Sequence, residues 1–392
     1  MEQALSSTPP FGSGSLEKEW DFLCACVSPL ADRNRIVSCI GNGLQWDALV
    51  ELATEHGVIG IVATRLLALN DDAVPAVVRE KLQTRLRAQH LFTLSMAAEL
   101  FRLLEDFERA GIEALLVKGP LISVLAYGDP AIRSYVDLDL IVRDRDILAA
   151  TRHMIAMGFA AKVPERAILA GKVPGEYVFR RTDTQCVIEL HTERTLRYYP
   201  RFMPIEDLYS RQARVPIDGH DVPVLSLEDE LVSNCIHGAK HFWERLIWVA
   251  DITAMGVRHP ELDWRKARQA AQDVGAERML RVGLQLGASV FGVQPPSEMA
   301  REIAQDTAAQ RLCRQVLSWL PQAGLAPPTL RERAFFRIQM AGGGLAGLQY
   351  LFRLSLSPTE EDWVEGAGER RPSLWDAVRR PLRLLRKYGP RD

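Results

Sequence analysis

The sequence lacks three features that would assign it to a broad class of protein. Its six cysteines are scattered, with neither a CxxC pair nor zinc-ligand spacing, so we expect reduced thiols and a cytoplasmic protein. It has almost no net charge: 48 Lys and Arg against 50 Asp and Glu give −2, which argues against a long nucleic acid as partner. It also has no apolar run of membrane-spanning length and no signal-peptide pattern, so we expect no membrane span.

The 392 residues change character along the chain, which predicts several regions. Residues 1–15 are rich in Ser, Pro and Gly and are expected to be disordered, whereas residues 16–111 have apolar residues at helical spacing. Residues 112–225 alternate between predicted strands and helices, and residues 226–392 return to helical patterns. The sequence therefore predicts an α+β fold, with a small mixed β-sheet core flanked by N-terminal and C-terminal helical regions.

Local signals place elements within the central region. A strand is predicted over residues 112–117, a helix over 119–127 and a second strand over 136–142. Two hairpins follow, EYVFRRTDTQCVIELHTE with its turn near Asp183, and ARVPIDGHDVPVLS with its turn at Asp218-Gly219. A capping-box pattern from Ser226 to Asp229 predicts the start of the next helix.

The pattern that points most directly to chemistry is Asp137-Leu138-Asp139 within an apolar strand. Side chains alternate along a strand, so the two aspartates share a face, with Cα atoms about 6–7 Å apart. Two carboxylates this close repel each other unless a cation lies between them. A divalent metal would account for the pair, and Mg²⁺ (or Mn²⁺) is the expected ion, because it prefers oxygen ligands and shares them with a substrate phosphate. The alternative is an ordinary acidic pair at a solvated sheet edge.

Upstream of this pair, Lys118-Gly119-Pro120 predicts an anion-binding turn. A strand that ends in Gly, followed by Pro at the first helical position, produces a helix N-terminus whose free N–H groups bind anions. Lys118 adds a positive charge at the same place. An anion cradle beside an acidic pair is typical of a metal–nucleotide site.

Glu189 and His191 share one face of the strand at residues 186–191. Glu189 lies mid-strand between apolar residues, where an acid is rare unless it has a partner, so it is the predicted third metal ligand. The alternative is an ion pair with Arg180 or Arg181 across the hairpin. His191 is expected to orient the Glu189 carboxylate, unless it is a structural histidine.

Two further groups of residues are candidates for substrate contacts. Arg133 precedes Asp137 by four residues and could bind a phosphate; the alternative is an ion pair with Asp129 or Asp137. His237, Lys240 and His241 fall on one predicted helix at a spacing of three to four residues, so they would line an acceptor or base pocket or simply pack the helix. The sequence does not decide between these roles.

The segments LLVKGPLISVLAYGDPAIRSYVDLDLIV, VIELHTE and HGAKHFWERLIWVADI resemble the uncharacterised nucleotidyltransferase family, a branch of the polymerase-β-like superfamily. The resemblance implies transfer of a nucleotidyl group from an NTP such as ATP, with Mg²⁺ as cofactor. It implies Asp137, Asp139 and Glu189 as metal ligands and Gly119 in the phosphate-binding turn. The chain departs from the superfamily in two ways: Lys118-Gly119 replaces the usual Gly-Ser pair, and the third carboxylate is Glu where Asp is commoner.

Three functions are compatible with these residues. The first is a Mg²⁺-dependent nucleotidyltransferase acting on a hydroxyl of a small-molecule or peptide acceptor. The second is a non-catalytic protein that uses the same fold to bind a partner, as an antitoxin or a scaffold would. The third is a glycosyltransferase, which would use a DxD pair on a nucleotide sugar but needs a doubly wound domain before that pair.

Overall fold

The computed structural model describes residues 16–40, 43–69, 73–169, 175–181, 183–193, 205–322 and 328–356. The predicted disorder of residues 1–15 lies outside these ranges. Inside them the chain has the predicted α+β fold, with one mixed sheet among many helices. No helix among the described residues is long and apolar enough to cross a membrane.

The described residues before the sheet are helical, as predicted. These helices are Glu17–Val27 (α1), Arg33–Cys39 (α2), Trp46–Glu55 (α3), Ile59–Leu67 (α4) and Ala76–Arg109 (α5). Gly111 follows α5 with φ +71°, and the N–H of Ile112 donates back to the carbonyl of Phe107 over 2.8 Å. Ile112 therefore still belongs to the end of α5. The first strand begins at Ala114, two residues after the predicted start at residue 112.

Strands from separate parts of the chain meet in the middle of the sheet. In chain order they are Ala114–Val117 (β1), Leu138–Val142 (β2), Phe159–Ala161 (β3), Glu176–Arg181 (β4), Val187–His191 (β5), Ala213–Ile217 (β6) and His220–Val224 (β7). The spatial order is β3-β4-β5-β2-β1-β7-β6. β2 pairs parallel with β5 and antiparallel with β1, and β1 pairs parallel with β7.

The two faces of the sheet have different surroundings. Leu138, Leu140 and Val142 point into the main hydrophobic core, together with Ile188 and Leu190 of β5. Neighbouring positions on the opposite face form a smaller apolar cluster, which includes Leu115, Val117, Ile141 and Leu208. Asp139 and Glu189 belong to this second face, because they alternate with the core residues.

Both predicted hairpins are confirmed. β4 and β5 pair antiparallel on either side of the Asp183 turn, and β6 pairs antiparallel with β7. Asp218 and Gly219 have φ values of +46° and +81°, as a two-residue hairpin turn requires.

Helices fill the remainder of the described chain. Those within and after the sheet segments are Gly119–Tyr127 (α6), Ile147–Ala156 (α7), Glu165–Leu169 (α8), Ile205–Ser210 (α9), Leu227–Lys240 (α10), Leu246–Arg258 (α11), Trp264–Val274 (α12), Glu277–Phe291 (α13), Ser297–Gln305 (α14), Thr307–Trp319 (α15), Leu330–Met340 (α16) and Gly344–Leu356 (α17). Short 3₁₀ turns lie at Asp144–Asp146 and Leu320–Gln322. The Ser226 hydroxyl caps α10 by accepting from the N–H of Asp229 over 3.2 Å, as predicted. The division of the chain into four regions stays a prediction.

A buried histidine joins the N-terminal helices to α11. His56 is fully buried, and its Nδ1 accepts a hydrogen bond of 3.1 Å from the N–H of Leu246 at the start of α11. Its carbonyl accepts a second bond from the N–H of Ile247. Burial and the nearby Arg245 charge lower the pKa of His56 to about 4, so the ring is neutral at pH 7.

Folding stability should therefore fall as the pH drops from about 6.5 towards 4. The unfolded chain binds the proton first, so the contribution of His56 is complete above its unfolded pKa of about 6.5 and is lost on acidification, by up to about 3 kcal/mol. His56→Asn keeps an acceptor near the Nδ1 position but cannot be protonated. Urea unfolding at pH 7 and pH 4.5 should show a smaller acid-induced loss in this variant than in the unmodified protein. Equal losses would contradict the assignment.

Candidate active site

The pairing of β2 with β5 brings the predicted acidic residues together. Asp139 and Glu189 are register partners in this parallel pair, so their side chains leave the sheet side by side on the same face. Asp139 is buried, and the Glu189 side chain is one-fifth exposed. Two acids from segments fifty residues apart thus share one site, as the resemblance to the nucleotidyltransferase family implied.

His191 lies at the centre of this site. Its Nε2 is 2.8 Å from Oδ1 of Asp139 and 3.8 Å from Oε2 of Glu189. One ligand atom from each of the three side chains lies within 4.8 Å of the others, which is a possible metal-binding group. His191 is therefore within hydrogen-bond distance of Asp139 and not of Glu189, the acid that it was expected to orient, and its functional role stays a prediction.

Lys118 is the cation that the crowded acids require. Its Nζ lies 2.7 Å from Oδ1 of Asp139, and its backbone adopts a φ of +54° just before α6. Burial opposes ionisation of Asp139, but the Lys118 ammonium and the bond with His191 hold the pKa of that carboxyl well below its usual range. Asp139 is therefore ionised and paired at all ordinary pH values.

The turn that carries Lys118 continues through Gly119 and Pro120 into α6. Gly119 has a φ of +43°, a conformation that favours glycine, and Pro120 occupies the first turn of the helix as predicted. The tip of α6 lies next to the acidic site, because Lys118 immediately precedes it. The nucleotide-binding roles of Lys118 and Gly119 stay predictions.

Glu189 is in a different electrostatic state from Asp139. Burial raises the pKa of its carboxyl to about 8, and the charges of Asp139, Glu176 and Asp137 act in the same direction. At pH 7 and without a metal, Glu189 is therefore mostly protonated. A cation that bound beside Glu189 would favour its ionised form, so the site can accept additional positive charge.

Asp137 lies just outside β2, which begins at Leu138 instead of the predicted residue 136. The strand starts later because β1 ends at Val117, where the chain turns away through Lys118. Burial and the Asp139 charge raise the pKa of Asp137. Asp137 is not a member of the three-residue metal-binding group found among the described residues, so its role as a ligand stays a prediction.

The sequence did not indicate two further acids of the site, Glu176 and Glu230. Glu176 of β4 is the register partner of His191, and its carboxylate lies 3.9 Å from Nζ of Lys240. Although burial opposes this, Lys240, His191 and Lys118 lower the pKa of Glu176. The position of Glu176 opposite His191 follows from the hairpin register, which the Asp183 turn would have allowed us to predict.

Glu230 of α10 is the second missed acid. It is fully buried, and its Oε1 accepts hydrogen bonds from the N–H of Lys118 over 3.0 Å and from the side chain of Asn234 over 3.1 Å. Burial raises the pKa of Glu230 to about 7. Glu230 thereby holds the turn that positions Lys118, and no local pattern in the sequence indicates a contact between residues so far apart.

Arg133 has a partner that the sequence did not suggest. Its Nε donates to Oδ2 of Asp251 over 2.8 Å, and the hydroxyl of Tyr127 donates to Oδ1 of the same carboxylate over 2.8 Å. Both charged side chains are almost fully buried. The contact with phosphate predicted for Arg133 remains untested, and the observed contact fixes the loop before β2 against α11.

Arg181 and the polar residues of α10 have identifiable surroundings as well. Arg181 does not pair with Glu189; it bonds to Glu99 of α5 over 2.8 Å and to Asp183 over 3.1 Å.

His237 and Lys240 lie on α10 beside the site. Burial lowers the pKa of His237, and the charges of Lys118 and Lys240 lower it further. The function of these α10 residues as an acceptor or base pocket stays a prediction.

Replacement of Lys118 by Met should destabilise the protein and make it more responsive to divalent cations. Asp139 would keep only its bond to His191, and a buried carboxylate that loses a partner costs about 1–3 kcal/mol. A metal that binds the folded state would offset this loss, so Mn²⁺ should raise the melting temperature of Lys118→Met more than that of the unmodified protein. The matched control is Lys81→Met, which removes an exposed pair with Asp47 and should change little. Equal Mn²⁺ shifts in all three proteins would contradict this account of Lys118.

Comparison with known proteins supports the same chemistry. A model of the uncharacterised nucleotidyltransferase family matches residues 42–292, which is well over half of the chain and includes every site residue described above. A search of curated proteins gives no significant match. Family membership supports nucleotidyl transfer in general, and such enzymes generally use divalent metals. On the strength of this match and of the acidic site, the chain belongs to the uncharacterised nucleotidyltransferase family.

Proposed function

We propose that the protein transfers a nucleotidyl group from an NTP to a hydroxyl of a small-molecule or peptide acceptor, with a divalent metal held by Asp139, Glu189 and Asp137. The acceptor oxygen would bond to the α-phosphorus as its bond to the β-phosphate oxygen breaks, so pyrophosphate and the hydroxyl proton are released. The observation that carries this proposal is the in-register pairing of Asp139 with Glu189, next to Lys118 at the start of α6. Carboxylates on adjacent strands in front of a helix N-terminus provide the metal and phosphate contacts that this reaction needs.

The side chains present fit a divalent metal. Asp139, Glu189 and His191 offer ligand atoms within 4.8 Å of one another. Burial raises the pKa of Glu189, and the nearby acids raise it further through a repulsion that a cation would relieve. Carboxylate oxygens suit both Mg²⁺ and Mn²⁺. We therefore propose Mg²⁺ or Mn²⁺, with His191 either as a ligand or as the hydrogen-bond partner that orients Asp139.

Different side chains and backbone groups would contact different parts of the nucleotide. The N–H groups at the tip of α6 and the Lys118 ammonium would bind the triphosphate, with Lys118 exchanging Asp139 for a phosphate oxygen. Glu230 keeps the Lys118 turn in place through its hydrogen bond to the Lys118 N–H. When bound, the metal would polarise the α-phosphate and lower the pKa of the acceptor hydroxyl. The near-zero net charge supports a small or peptide acceptor over a long nucleic acid.

One observation favours a second candidate, a non-catalytic binding protein of the same fold. Lys118 already provides Asp139 with a positive partner at 2.7 Å, which is the arrangement expected if the chain had given up its metal. A glycosyltransferase has less support, because the described residues before β1 form helices and not the doubly wound domain that it requires.

Transfer of label should require Asp139. Incubation with α-³²P-labelled NTPs, Mg²⁺ or Mn²⁺ and a cell extract should label an acceptor, and Asp139→Asn should lower this labelling by more than about a hundredfold, since even indirect partners of a metal site are worth about ten- to a hundredfold. Asp183→Asn, in the exposed hairpin turn, is the matched control and should retain activity. Equal labelling by all three proteins would exclude Asp139 from catalysis, and no labelling by any would favour the non-catalytic binding protein.

Metal binding at pH 7 should release a proton from Glu189. The pKa of Glu189 is raised to about 8, and a carboxylate must be ionised to bind a metal. Affinity for Mn²⁺ should therefore increase as the pH rises from 6 to 8. Calorimetric titrations in two buffers with different ionisation enthalpies would count the released protons. Glu189→Gln should abolish the release and Glu261→Gln, at an exposed position, should not; unchanged release in Glu189→Gln would assign the proton elsewhere.

A further inference from the structure

One face of α10 runs from the site towards a group of aromatic rings. Glu230, Asn234, His237 and His241 recur at helical spacing along this face. Glu230 contacts the Lys118 N–H, and the Lys118 and Asp139 charges both act on His237. The face is therefore continuous with the acidic site.

His237, His241 and Trp248 form an aromatic wall at the far end of this face. The ring centroids of His237 and His241 are 4.6 Å apart, and that of Trp248, on α11, lies 5.7 Å from His237 and 5.2 Å from His241. All three side chains remain partly exposed, unlike the neighbouring Trp243, which is fully buried. The wall is therefore not sealed within the core, as Trp243 is.

The two imidazoles are neutral and have unused hydrogen-bonding capacity. Burial, together with nearby lysine charges, lowers the pKa of His241 to about 4 and that of His237 well below its usual value. Within the described residues, neither ring has a hydrogen-bond partner. Neutral rings with unpartnered nitrogens can stack on a flat heterocycle and also bond to its edge.

An unusual turn holds this wall in position. Phe242 and Trp243 have φ values of +57° and +53°, which bulky residues rarely adopt, and the N–H of Trp243 donates to the carbonyl of Gly238 over 2.8 Å. The Trp243 ring fills the space beside Gly238 and Gly283, where a Cβ would come within 3.1 Å of it. Strained backbone of this kind persists where the surrounding packing requires it, often at functional sites.

We infer that the wall of His237, His241 and Trp248 is the stacking surface for the nucleobase of the NTP; this inference rests on the proposed nucleotidyl transfer. Glu230 marks the phosphate end of the α10 face, through its bond to the Lys118 turn. His237 lies seven residues further on, about 10 Å along the helix axis, which leaves space for a ribose between phosphate and base.

The test compares ATP with inorganic tripolyphosphate, which has a similar charge but no base. In the presence of Mn²⁺, the unmodified protein should bind ATP about tenfold more tightly than tripolyphosphate, because base–aromatic stacking is of that order. Trp248→Leu should remove this preference while leaving the affinity for tripolyphosphate unchanged. Trp248→Phe should restore most of it, which would separate loss of stacking from loss of folding.

Trp46→Leu is the matched control, because Trp46 is also partly buried but packs against Phe22 in the N-terminal helices. It should keep the preference for ATP. Equal binding of ATP and tripolyphosphate would overturn the inference but not the proposed nucleotidyl transfer. Retention of the preference for ATP by Trp248→Leu would do the same, and it is the result expected if the wall binds the acceptor. Failure of both ligands to bind would overturn the proposed function as well.

Discussion

The crowding of carboxyl groups around Asp139 is the constraint on which the centre of this protein depends. Asp139 and Glu189 are register partners, and Glu176 lies on the next strand opposite His191. Buried acids this close are tolerated only if some are protonated, as Glu189 is, or if positive charge compensates them. Lys118 lies 2.7 Å from Asp139, and Lys240 lies 3.9 Å from Glu176. A slip of one residue between β2 and β5 would turn Asp139 into the apolar core, so the charges and the strand register depend on each other.

Helix α10 organises the surroundings of this acidic site. Its Glu230 holds the turn that places Lys118, its Lys240 lies next to Glu176, and its last turns carry two of the three aromatic rings. The helix is fixed at its start by the Ser226 cap and at its end by the packing of Trp243 against Gly238. A single helix thus connects the Lys118 turn to the aromatic wall.

The sequence predicted features that depend on neighbouring residues, but not contacts between residues far apart along the chain. The placement of Glu189 and His191 on one face follows from strand periodicity, and the hairpin turns follow from Asp183 and Asp218-Gly219, because these signals are local. The pairing of β2 with β5, which brings Asp139 beside them, joins distant segments, and only the family resemblance implied it. The contacts of Glu230 with Lys118 and of Asp251 with Arg133 bridge more than a hundred residues, so no periodicity or turn chemistry indicates them. Strand starts at β1 and β2 were predicted two residues early, because neighbouring turns determine where pairing begins.

The carboxylate of Asp251 has a mechanical consequence for the site. Its two oxygens bind Arg133, in the loop that leads to Asp137, and Tyr127, the last residue of α6. Trp248 lies one helical turn away on α11, so α6, the loop before β2 and one ring of the aromatic wall all connect through one buried carboxylate. Independent movement of α6 or of this loop relative to α11 would break the bond of Asp251 to Tyr127 or to Arg133. We therefore expect the site to be preformed, with little change in the backbone when a substrate binds.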